Sequence, residues 1–263
     1  MSMLARPKKS LGQNFLHDKN ILNKIIHASE ITPSDEVLEI GPGTGNLTEL
    51  IVCQKPKKIY VIEKDGNLAK GLDKKYNNKI NIIKEDALKI PNEFYSKKKF
   101  LILGNLPYNI STKILSNWCL NNKLRVSKMI LMFQKEVADR ILANVGSRKY
   151  GRITILSKWK FDIDKVIDVK PNSFFPRPKI NSTVLKFTPK KKIHRFVDSK
   201  NLEKITKVFF NQRRKMIKKP INILFKNFKF NYNKFNLNPS DRPQNIDVDK
   251  YLKIVNEYEF LKN

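Results

Sequence analysis

Short apolar runs rich in β-branched residues alternate with helical stretches over the first two thirds of the chain. Five of these runs are predicted strands, at residues 37–40, 59–63, 80–83, 100–104 and 128–133. Strands that alternate with helices are typical of a parallel sheet covered by helices. The pattern therefore predicts a doubly wound, Rossmann-like α/β fold.

The segment after the fifth strand is harder to assign. Residues 152–160, RITILSKWK, fit a strand or a helix by periodicity. Two extended pieces follow at 161–169 and 182–187, joined by the sequence KPNSFFPRPKI at 170–180. Because proline locks the backbone angle φ, we expect this joining segment, which we call the connector, to be stiff and extended.

The pattern changes near residue 190, where apolar residues begin to recur at helical spacing. Leu202 and Ile205 belong to the first helix predicted there, and Tyr251 belongs to the last one. We therefore predict two domains, an α/β domain at 1–189 and a small helical domain at 190–263.

Charge narrows the choice of partner. The chain has 53 lysines and arginines against 24 acidic residues, a formal net charge of +29 and a pI near 10.0. Residues 1–189 carry 34 basic and 17 acidic side chains and residues 190–263 carry 19 and 7, so the helical domain is the more basic per residue. The positive charge favours a polyanion as the binding partner. A nucleic acid is the first candidate and an anionic membrane surface is the second. The membrane is less favoured because no run of 18 apolar residues occurs.

Cysteine and histidine positions argue against a metal site. Cys53 and Cys119 lie far apart without a CxxC motif, and the three histidines do not cluster. Two such cysteines fit a reducing cytosol. The basic segment at residues 1–16 has no apolar signal core. We therefore expect a cytoplasmic protein without a bound metal.

A glycine-rich turn follows the first predicted strand, in VLEIGPGTGNLTELI. Gly41, Gly43 and Gly45 allow positive φ and a close approach of the backbone to a ligand. Asn46 replaces the third glycine of a dinucleotide fingerprint, so the spacing is G-x-G-x-G. With Glu39 before it, this loop favours a ligand with a ribose and an amino-acid tail, such as S-adenosylmethionine. A tight turn without a ligand is the alternative.

Two further carboxylates follow the next strands. Glu63 closes the second strand, 22 positions after Gly41, where a carboxylate can accept hydrogen bonds from both ribose hydroxyls. Asp86 follows the third strand and can accept from the exocyclic amine of an adenine. Either residue alone is more often a helix cap or a solvated charge. Because Glu39, Glu63 and Asp86 lie at successive strand ends, we expect all three near one ligand.

The fourth strand leads into the sequence GNLPYNIST. The first and fourth strands of a doubly wound sheet are neighbours, so we expect Asn105 beside the ligand loop. An adenine 6-amino group carries two N–H donors and needs acceptors. The side-chain oxygen of Asn105 and the backbone carbonyl of Leu106 or Pro107 can accept these bonds and stabilise positive charge that develops on the nitrogen. The motif therefore predicts methyl transfer to a planar exocyclic amine.

Aromatic residues near this motif are candidates for holding the base. An extruded base loses its stacking, and an aromatic ring offsets about 1–3 kcal/mol of that cost. Pro107 fixes the turn so that Tyr108 projects into the crevice; a core position for Tyr108 is the alternative. On the connector we predict that Phe174 is the second ring, whereas for Phe175 core packing is at least as good an explanation.

These motifs resemble those of the KsgA/RsmA/Dim1 family of small-subunit ribosomal RNA adenine dimethyltransferases. The likeness covers nearly the whole chain. The matching segments occur in the family's order: KKSLGQNFL, VLEIGPGTGNLT, VIEKD, EDAL, GNLPYNIST, FQKEVADRI, YGRITIL, FFPRPKINSTV, FFNQRRKMI and RPQNI. Macrolide-resistance methyltransferases, which act on large-subunit RNA, typically have FEIGSGKG and NIPY where this chain has LEIGPGTG and NLPY. The resemblance therefore favours small-subunit RNA.

The resemblance implies a set of site residues and a reaction. The cofactor-binding residues would be Asn14, Leu16, Gly41, Glu63, Asp86 and Asn105. The catalytic residues would be Asn105, Pro107, Tyr108 and Phe174. The implied reaction is dimethylation, with S-adenosylmethionine, of the 6-amino groups of two adjacent adenines in the hairpin near the 3′ end of the RNA. The implied partner is the small ribosomal subunit, with a role late in its assembly.

Some features depart from the family or leave alternatives open. Arg177 lies in a connector that is usually uncharged, and EKDGNL replaces the usual D-R-D-L run. An assembly or nucleic-acid-binding factor without chemistry and a DNA adenine methyltransferase are the competing functions. In the helical domain we expect Arg213, Arg214 and Lys215 to contact RNA phosphates, with a solvated helix face as the alternative. A monomer is expected because no sustained heptad occurs.

Overall fold

The computed structural model describes residues 7–8, 11–196 and 198–262. The first six residues, and residues 9 and 10 of the basic N-terminal segment, lie outside this description. The chain forms two compact units. Unit 1 consists of Met1–Leu115, Lys123–Ala138 and Asp162–Pro189. Unit 2 consists of Ser116–Asn122, Asp139–Phe161 and Lys190–Asn263.

A seven-stranded sheet forms the centre of unit 1. The strands in chain order are β1 (Phe15–Leu16), β2 (Glu36–Ile40), β3 (Lys58–Ile62), β4 (Asn81–Ile83), β5 (Phe100–Asn105), β6 (Val126–Gln134), β7 (Phe161–Val169), β8 (Phe174–Phe175) and β9 (Ser182–Pro189). Their order in the sheet is β4-β3-β2-β5-β6-β9-β7, and β1 and β8 form a separate antiparallel pair. Strands β2 to β6 pair in parallel, whereas β9 runs antiparallel to β6.

The helices occupy the segments between and after the strands. They are α1 (Lys19–Ser29), α2 (Asn46–Cys53), α3 (Gly66–Tyr76), α4 (Ser111–Leu120), α5 (Lys135–Leu142), α6 (Arg152–Lys160), α7 (Lys200–Asn211), α8 (Lys218–Leu224) and α9 (Val248–Phe260). Helix α1 begins where the carboxylate of Asp18 accepts the free N–H groups of Asn20 and Ile21.

The predicted α/β fold is confirmed. All five predicted strands form within two residues of the expected ends. Strand β2 lies between β3 and β5, so the first and fourth predicted strands are neighbours. Both faces of β2 are covered, because Val37, Leu38 and Ile40 are almost completely buried. This burial on both faces explains the continuous apolar runs of the sequence.

The ambiguous segment at 152–160 is helix α6. It is buried on nearly all sides, with Ile155, Leu156 and Trp159 at most 3 % exposed. A helix without a polar face has no amphipathic period, so the sequence pattern could not distinguish this helix from a strand. The hydroxyl of Ser157 donates to the carbonyl of Ile153 at 2.5 Å and so is satisfied inside the helix.

Unit 2 contains more of the chain than the predicted helical domain. Both divisions place a boundary between Pro189 and Lys190, but the unit also includes residues 116–122 and 139–161. Within it α6 packs on α7 and α9, and the rings of Phe209 and Tyr251 meet edge to face with centroids 5.3 Å apart. Residues 152–160 belong to this unit because α6 is apolar on nearly all sides and buries its surface against α7 and α9.

Within residues 7–8, 11–196 and 198–262, no helix is long and apolar enough to cross a membrane. No group of three or more His, Cys, Asp or Glu side chains in them is placed to hold a metal ion. Both cysteines carry free thiols, Cys53 exposed and Cys119 buried.

Candidate active site

The carboxyl ends of four parallel strands lie side by side in unit 1. Ile40 of β2 is paired with Ile62 of β3 and with Gly104 of β5, and Ile62 is paired with Ile83 of β4. The loops that follow these strands enclose one cavity. The predicted cofactor residues that line it are Asn14, Leu16, Gly41, Glu63, Asp86 and Asn105. Pro107 and Tyr108 line the same cavity.

The glycine-rich loop after β2 has the backbone that its sequence predicts. Gly41, Gly43 and Gly45 all have positive φ, between 59° and 83°. A Cβ atom on Gly43 would lie 2.8 Å from the ring of Phe15, a distance that real Cβ atoms do not reach. Glycine at position 43 is therefore required by conformation and by space.

Glu63 is held by the backbone at the cavity wall. Its Oε2 accepts the N–H of Gly43 at 3.2 Å, and its Oε1 accepts the N–H of Asp65 at 2.8 Å. Burial raises the pKa of Glu63, and the bonds from these two N–H groups oppose the rise. Because each carboxylate oxygen has two lone pairs, the group can still accept two hydroxyl donors. The structure thus leaves Glu63 suited to a ribose.

Glu39 lines the same cavity and is 2 % exposed. Burial raises its pKa to about 8, and the nearby charge of Glu63 adds to the rise. The hydroxyl of Thr48 donates to its Oε2 at 2.7 Å and opposes the shift. The carboxyl of Glu39 is therefore mostly protonated at neutral pH.

Of the three carboxyl groups, Asp86 is the one whose pKa is lowered. Its Oδ1 accepts the N–H of Leu88 at 2.9 Å, and its Oδ2 pairs with the ammonium of Lys64 at 3.0 Å. The Leu88 bond and the Lys64 charge hold its pKa below the usual value. Asp86 is thus an anionic acceptor at neutral pH. The contribution of Lys64 was not predicted from the sequence.

The side chain of Asn105 is oriented by the N-terminal segment. Its Nδ2 donates to the backbone carbonyl of Asn14 at 2.8 Å, although the two residues are 91 positions apart. A carbonyl can only accept, so this bond determines which end of the amide is the nitrogen. The oxygen Oδ1 remains as an acceptor on a residue that lines the cavity.

The structure also distinguishes the two carbonyls that the sequence left open. The carbonyl of Pro107 accepts the N–H groups of Ile110 and Ser111, at 3.1 and 3.0 Å, where α4 begins. Among the described residues, no hydrogen bond reaches the carbonyl of Leu106. Leu106 is therefore the better partner of Asn105 as a second acceptor.

Tyr108 is anchored by a residue that sequence reasoning missed. The hydroxyls of Tyr108 and Ser182 are 2.6 Å apart, and Ser182 is completely buried at the start of β9. Burial raises the pKa of Tyr108, so its phenol is neutral. Ser182 belongs to the matched segment FFPRPKINSTV, but nothing in its sequence pattern indicates a contact with a tyrosine 74 positions earlier.

The two phenylalanines of the connector differ sharply in burial. Phe174 is 3 % exposed, lies opposite Leu16 of β1 and is part of the hydrophobic core; it is not on the cavity wall. Phe175, for which core packing was at least as good an explanation as a base contact, is 54 % exposed. Successive residues of a strand point to opposite faces, so only one of the pair can face the core. The role of Phe174 toward a base stays a prediction.

The N-terminal segment forms a wall that the sequence did not predict in detail. The amide of Gln13 donates to Asp65 at 3.2 Å, and the ammonium of Lys8 pairs with the same carboxylate at 2.9 Å. Asn46, which replaces a fingerprint glycine, donates from its side chain to the carbonyl of Leu16 at 2.8 Å. The asparagine that breaks the dinucleotide fingerprint therefore fixes the N-terminal segment beside the glycine-rich loop.

Comparison with known proteins identifies the family of the chain. Residues 5–259 match the family described as ribosomal RNA adenine dimethylase. The chain belongs to this family. Among curated members, it is 52% identical to the ribosomal RNA small subunit methyltransferase A of Pelagibacter ubique (strain HTCC1062) over 262 residues, 99% of this chain and 100% of that one. This adenine dimethylase is also 39% identical to the protein of the same name from Malacoplasma penetrans (strain HF-2), over 95% of this chain and 91% of that one.

Solved structures agree with the family assignment. The adenine dimethylase superposes on a dimethyladenosine transferase from Plasmodium falciparum with a TM-score of 0.80 and 30% identity, over 93% of this chain and 97% of that one. The 23S rRNA methyltransferase ErmE shares the fold, with a TM-score of 0.68 and 22% identity over 94% of this chain and 100% of that one. The predicted family, enzyme class and cofactor are confirmed: the chain is an S-adenosylmethionine-dependent ribosomal RNA adenine dimethyltransferase.

The residues present fit that cofactor. The left-handed glycines bring the backbone close to the cavity, Glu63 can accept two hydroxyl donors, and Asp86 is an anionic acceptor for an amine. S-adenosylmethionine carries a ribose diol, an adenine amine and a sulfonium charge. The acceptors on this wall match the first two groups.

Proposed function

We propose that this chain dimethylates the 6-amino groups of two adjacent adenines in the hairpin near the 3′ end of small-subunit ribosomal RNA. The observation that carries the proposal is the oriented amide of Asn105, whose Nδ2 is bound to the carbonyl of Asn14. The names of the relatives support the small subunit as the substrate. Action in the cytoplasm, as a monomer and late in subunit assembly belongs to the same proposal.

We assign the cofactor-binding roles to the cavity wall. Glu63 accepts the ribose hydroxyls, Asp86 accepts the adenine amine, and the loop at Gly41 lies against the amino-acid tail, with Asn14 and Leu16 on the facing side. When bound, S-adenosylmethionine supplies a methyl group on a positively charged sulfur. The carboxyl of Glu39, mostly protonated at neutral pH, adds little negative charge at this wall.

The acceptors at the end of β5 position the target amine. The Oδ1 of Asn105 and the carbonyl of Leu106 each accept one N–H of the adenine 6-amino group. Together they restrict the nitrogen to one orientation and stabilise the positive charge that develops on it. A backbone carbonyl and an amide oxygen are suitable because the reacting amine offers only donors.

Tyr108 provides the aromatic face for the extruded base. Its hydroxyl is bound to the buried Ser182, so the ring has little freedom to rotate away. A ring that is already ordered loses less entropy when a base stacks on it. Tyr108 lines the cavity whereas Phe174 does not, so Tyr108 is the first choice for stacking.

The RNA-binding role of the helical region rests on a basic groove in unit 2. We define this basic groove by its cationic residues Arg214, Lys215, Lys218, Lys219 and Arg242. All five are exposed. Clustered cations of this kind bind phosphates and make the affinity depend on salt concentration.

Arg213 differs from its two neighbours. Its guanidinium donates to Gln244 at 3.3 Å and to the backbone carbonyls of Ser147 and Arg148. These bonds tie together segments of unit 2, so Arg213 has a structural role. The predicted phosphate contacts of Arg214 and Lys215 remain part of the proposal, and tests of them should leave Arg213 intact.

The test is methyl transfer from labelled S-adenosylmethionine to unmethylated small ribosomal subunits, followed by mapping of the labelled nucleotides. We expect dimethyladenosine at two adjacent positions near the RNA 3′ end. Replacement Asn105→Ala should lower the rate by about 100-fold or more, as loss of one preorganised polar group does elsewhere. The exposed Asn122→Ala is the control. Full activity of Asn105→Ala, or stronger labelling of duplex DNA than of subunits, would contradict the proposal.

A further inference from the structure

The middle of the connector presents an aromatic ring and two cations to solvent. Phe175 is 54 % exposed, and Arg177 and Lys179 are also exposed. No ion pair or hydrogen bond of the Arg177 or Lys179 side chain occurs among the described residues. The combination of an exposed ring with two unpaired cations fits an anionic partner that has a flat apolar face.

The pairing of β1 with β8 places this ring at the rim of the cavity. Phe15 is the cross-strand partner of Phe175, and Leu16 is the partner of Phe174. Side chains of directly paired residues lie on the same face of a sheet. Phe175 therefore shares its face with Phe15, whose ring lines the cavity and lies against Gly43.

The connector is fastened at both ends, which restricts the position of its middle. At one end the hydroxyl of Ser173 donates to Asp18 at 2.9 Å, and the carbonyl of Ser173 accepts the N–H of His17 at 3.0 Å. Just beyond the other end, Ser182 at the start of β9 is bound to Tyr108. Phe175 is therefore held near the cavity, between two segments that form its walls.

We propose that Phe175, Arg177 and Lys179 form a binding surface for the unpaired RNA nucleotide next to the target adenine. The base of that nucleotide stacks on Phe175, and its phosphates contact the two cations. Base stacking on exposed aromatic rings with flanking cations is how proteins hold single strands. The inference rests on the proposed function, because it needs an extruded adenine in the cavity.

The first experiment measures the KM of methyl transfer for unmethylated small subunits. We expect Phe175→Ala to raise the KM by about 5- to 100-fold, the range that loss of one base stack predicts. Phe175→Trp should stay within about threefold of wild type, whereas Phe175→Leu should behave like alanine because it keeps apolar area without a stacking face. The control Phe260→Ala removes a ring that is 77 % exposed at the end of α9.

The second experiment does not depend on activity. A photoreactive benzoylphenylalanine at position 175 is irradiated in the presence of small subunits, and the cross-linked nucleotides are mapped. We expect them to be neighbours of the two methylated adenines. Cross-links only to ribosomal proteins or to remote RNA, or an unchanged KM of Phe175→Ala while wild type methylates normally, would overturn the inference. Absence of methylation by the wild type would instead refute the proposed function.

Discussion

Replacing Glu39 with glutamine should remove a pH-dependent loss of stability. The carboxyl is 2 % exposed, and burial raises its pKa from 4.5 to about 8. Between these two pH values the folded protein binds more protons than the unfolded chain, so the free energy of unfolding falls as pH rises. At about 1.4 kcal/mol for each pKa unit, the full penalty above pH 8 is on the order of 5 kcal/mol. Below pH 4.5 the penalty is absent.

The variant Glu39→Gln isolates this effect because it keeps the shape of the side chain. The hydroxyl of Thr48, which donates to Glu39 at 2.7 Å, can donate equally to the glutamine oxygen. We expect the wild type to lose about 2.5 kcal/mol relative to the variant between pH 6 and pH 8.5. Comparing two proteins at each pH cancels other titrating groups, such as the buried Lys160, whose pKa is lowered to about 8 by burial.

Urea unfolding at a series of pH values measures the difference directly. The matched control is Glu49→Gln, which removes an exposed carboxylate whose pKa is lowered by Lys75. That carboxylate is ionised in both states above pH 6, so its removal should not change the pH slope. Parallel stability curves for wild type and Glu39→Gln from pH 6 to pH 8.5 would refute the reasoning.

Two further predictions concern the loops around the cavity. Tyr108→Phe and Ser182→Ala should each lower kcat/KM for small subunits by about 5- to 20-fold, because each change removes the same buried hydrogen bond. The double variant should be no worse than either single variant. Additive losses would show that the two hydroxyls act separately. Gly43→Ala should lower the free energy of unfolding by about 1–2 kcal/mol, because φ is +59° and Phe15 leaves no space, and should weaken S-adenosylmethionine binding in calorimetry. The helical Gly71→Ala, with open space around it, should instead be neutral or stabilising, and equal effects of both changes would contradict this explanation.

The parts of the site that the sequence predicted follow from topology. In a parallel sheet all strands end at the same edge, so a residue placed directly after a strand has a known neighbour. Gly41, Glu63 and Asp86 follow strands β2, β3 and β4, Asn105 ends β5, and each of the four lines the cavity. No knowledge of side-chain packing was needed for this prediction.

The parts that the sequence did not predict depend on contacts between distant segments. Phe174 and Phe175 have the same residue type and adjacent positions, and only the pairing with β1 decides which one faces the core. Ser182 meets Tyr108 across 74 positions, and Arg213 meets backbone carbonyls 65 and 66 positions away. No local period encodes such contacts, so they were accessible only from the folded structure.

The N-terminal wall explains why these distant contacts matter for the chemistry. The carbonyl of Asn14 accepts a hydrogen bond from the side chain of Asn105. Phe15 fills the space over Gly43, and Leu16 pairs with Phe174. One short segment therefore contacts the amide that orients the target amine, the loop proposed for the cofactor and the connector proposed for RNA. Because the carbonyl of Asn14 is what keeps the oxygen of Asn105 available, a displacement of this segment would turn the amide as well as open the cavity. Cofactor binding and amine orientation are thus expected to fail together when this wall is disturbed.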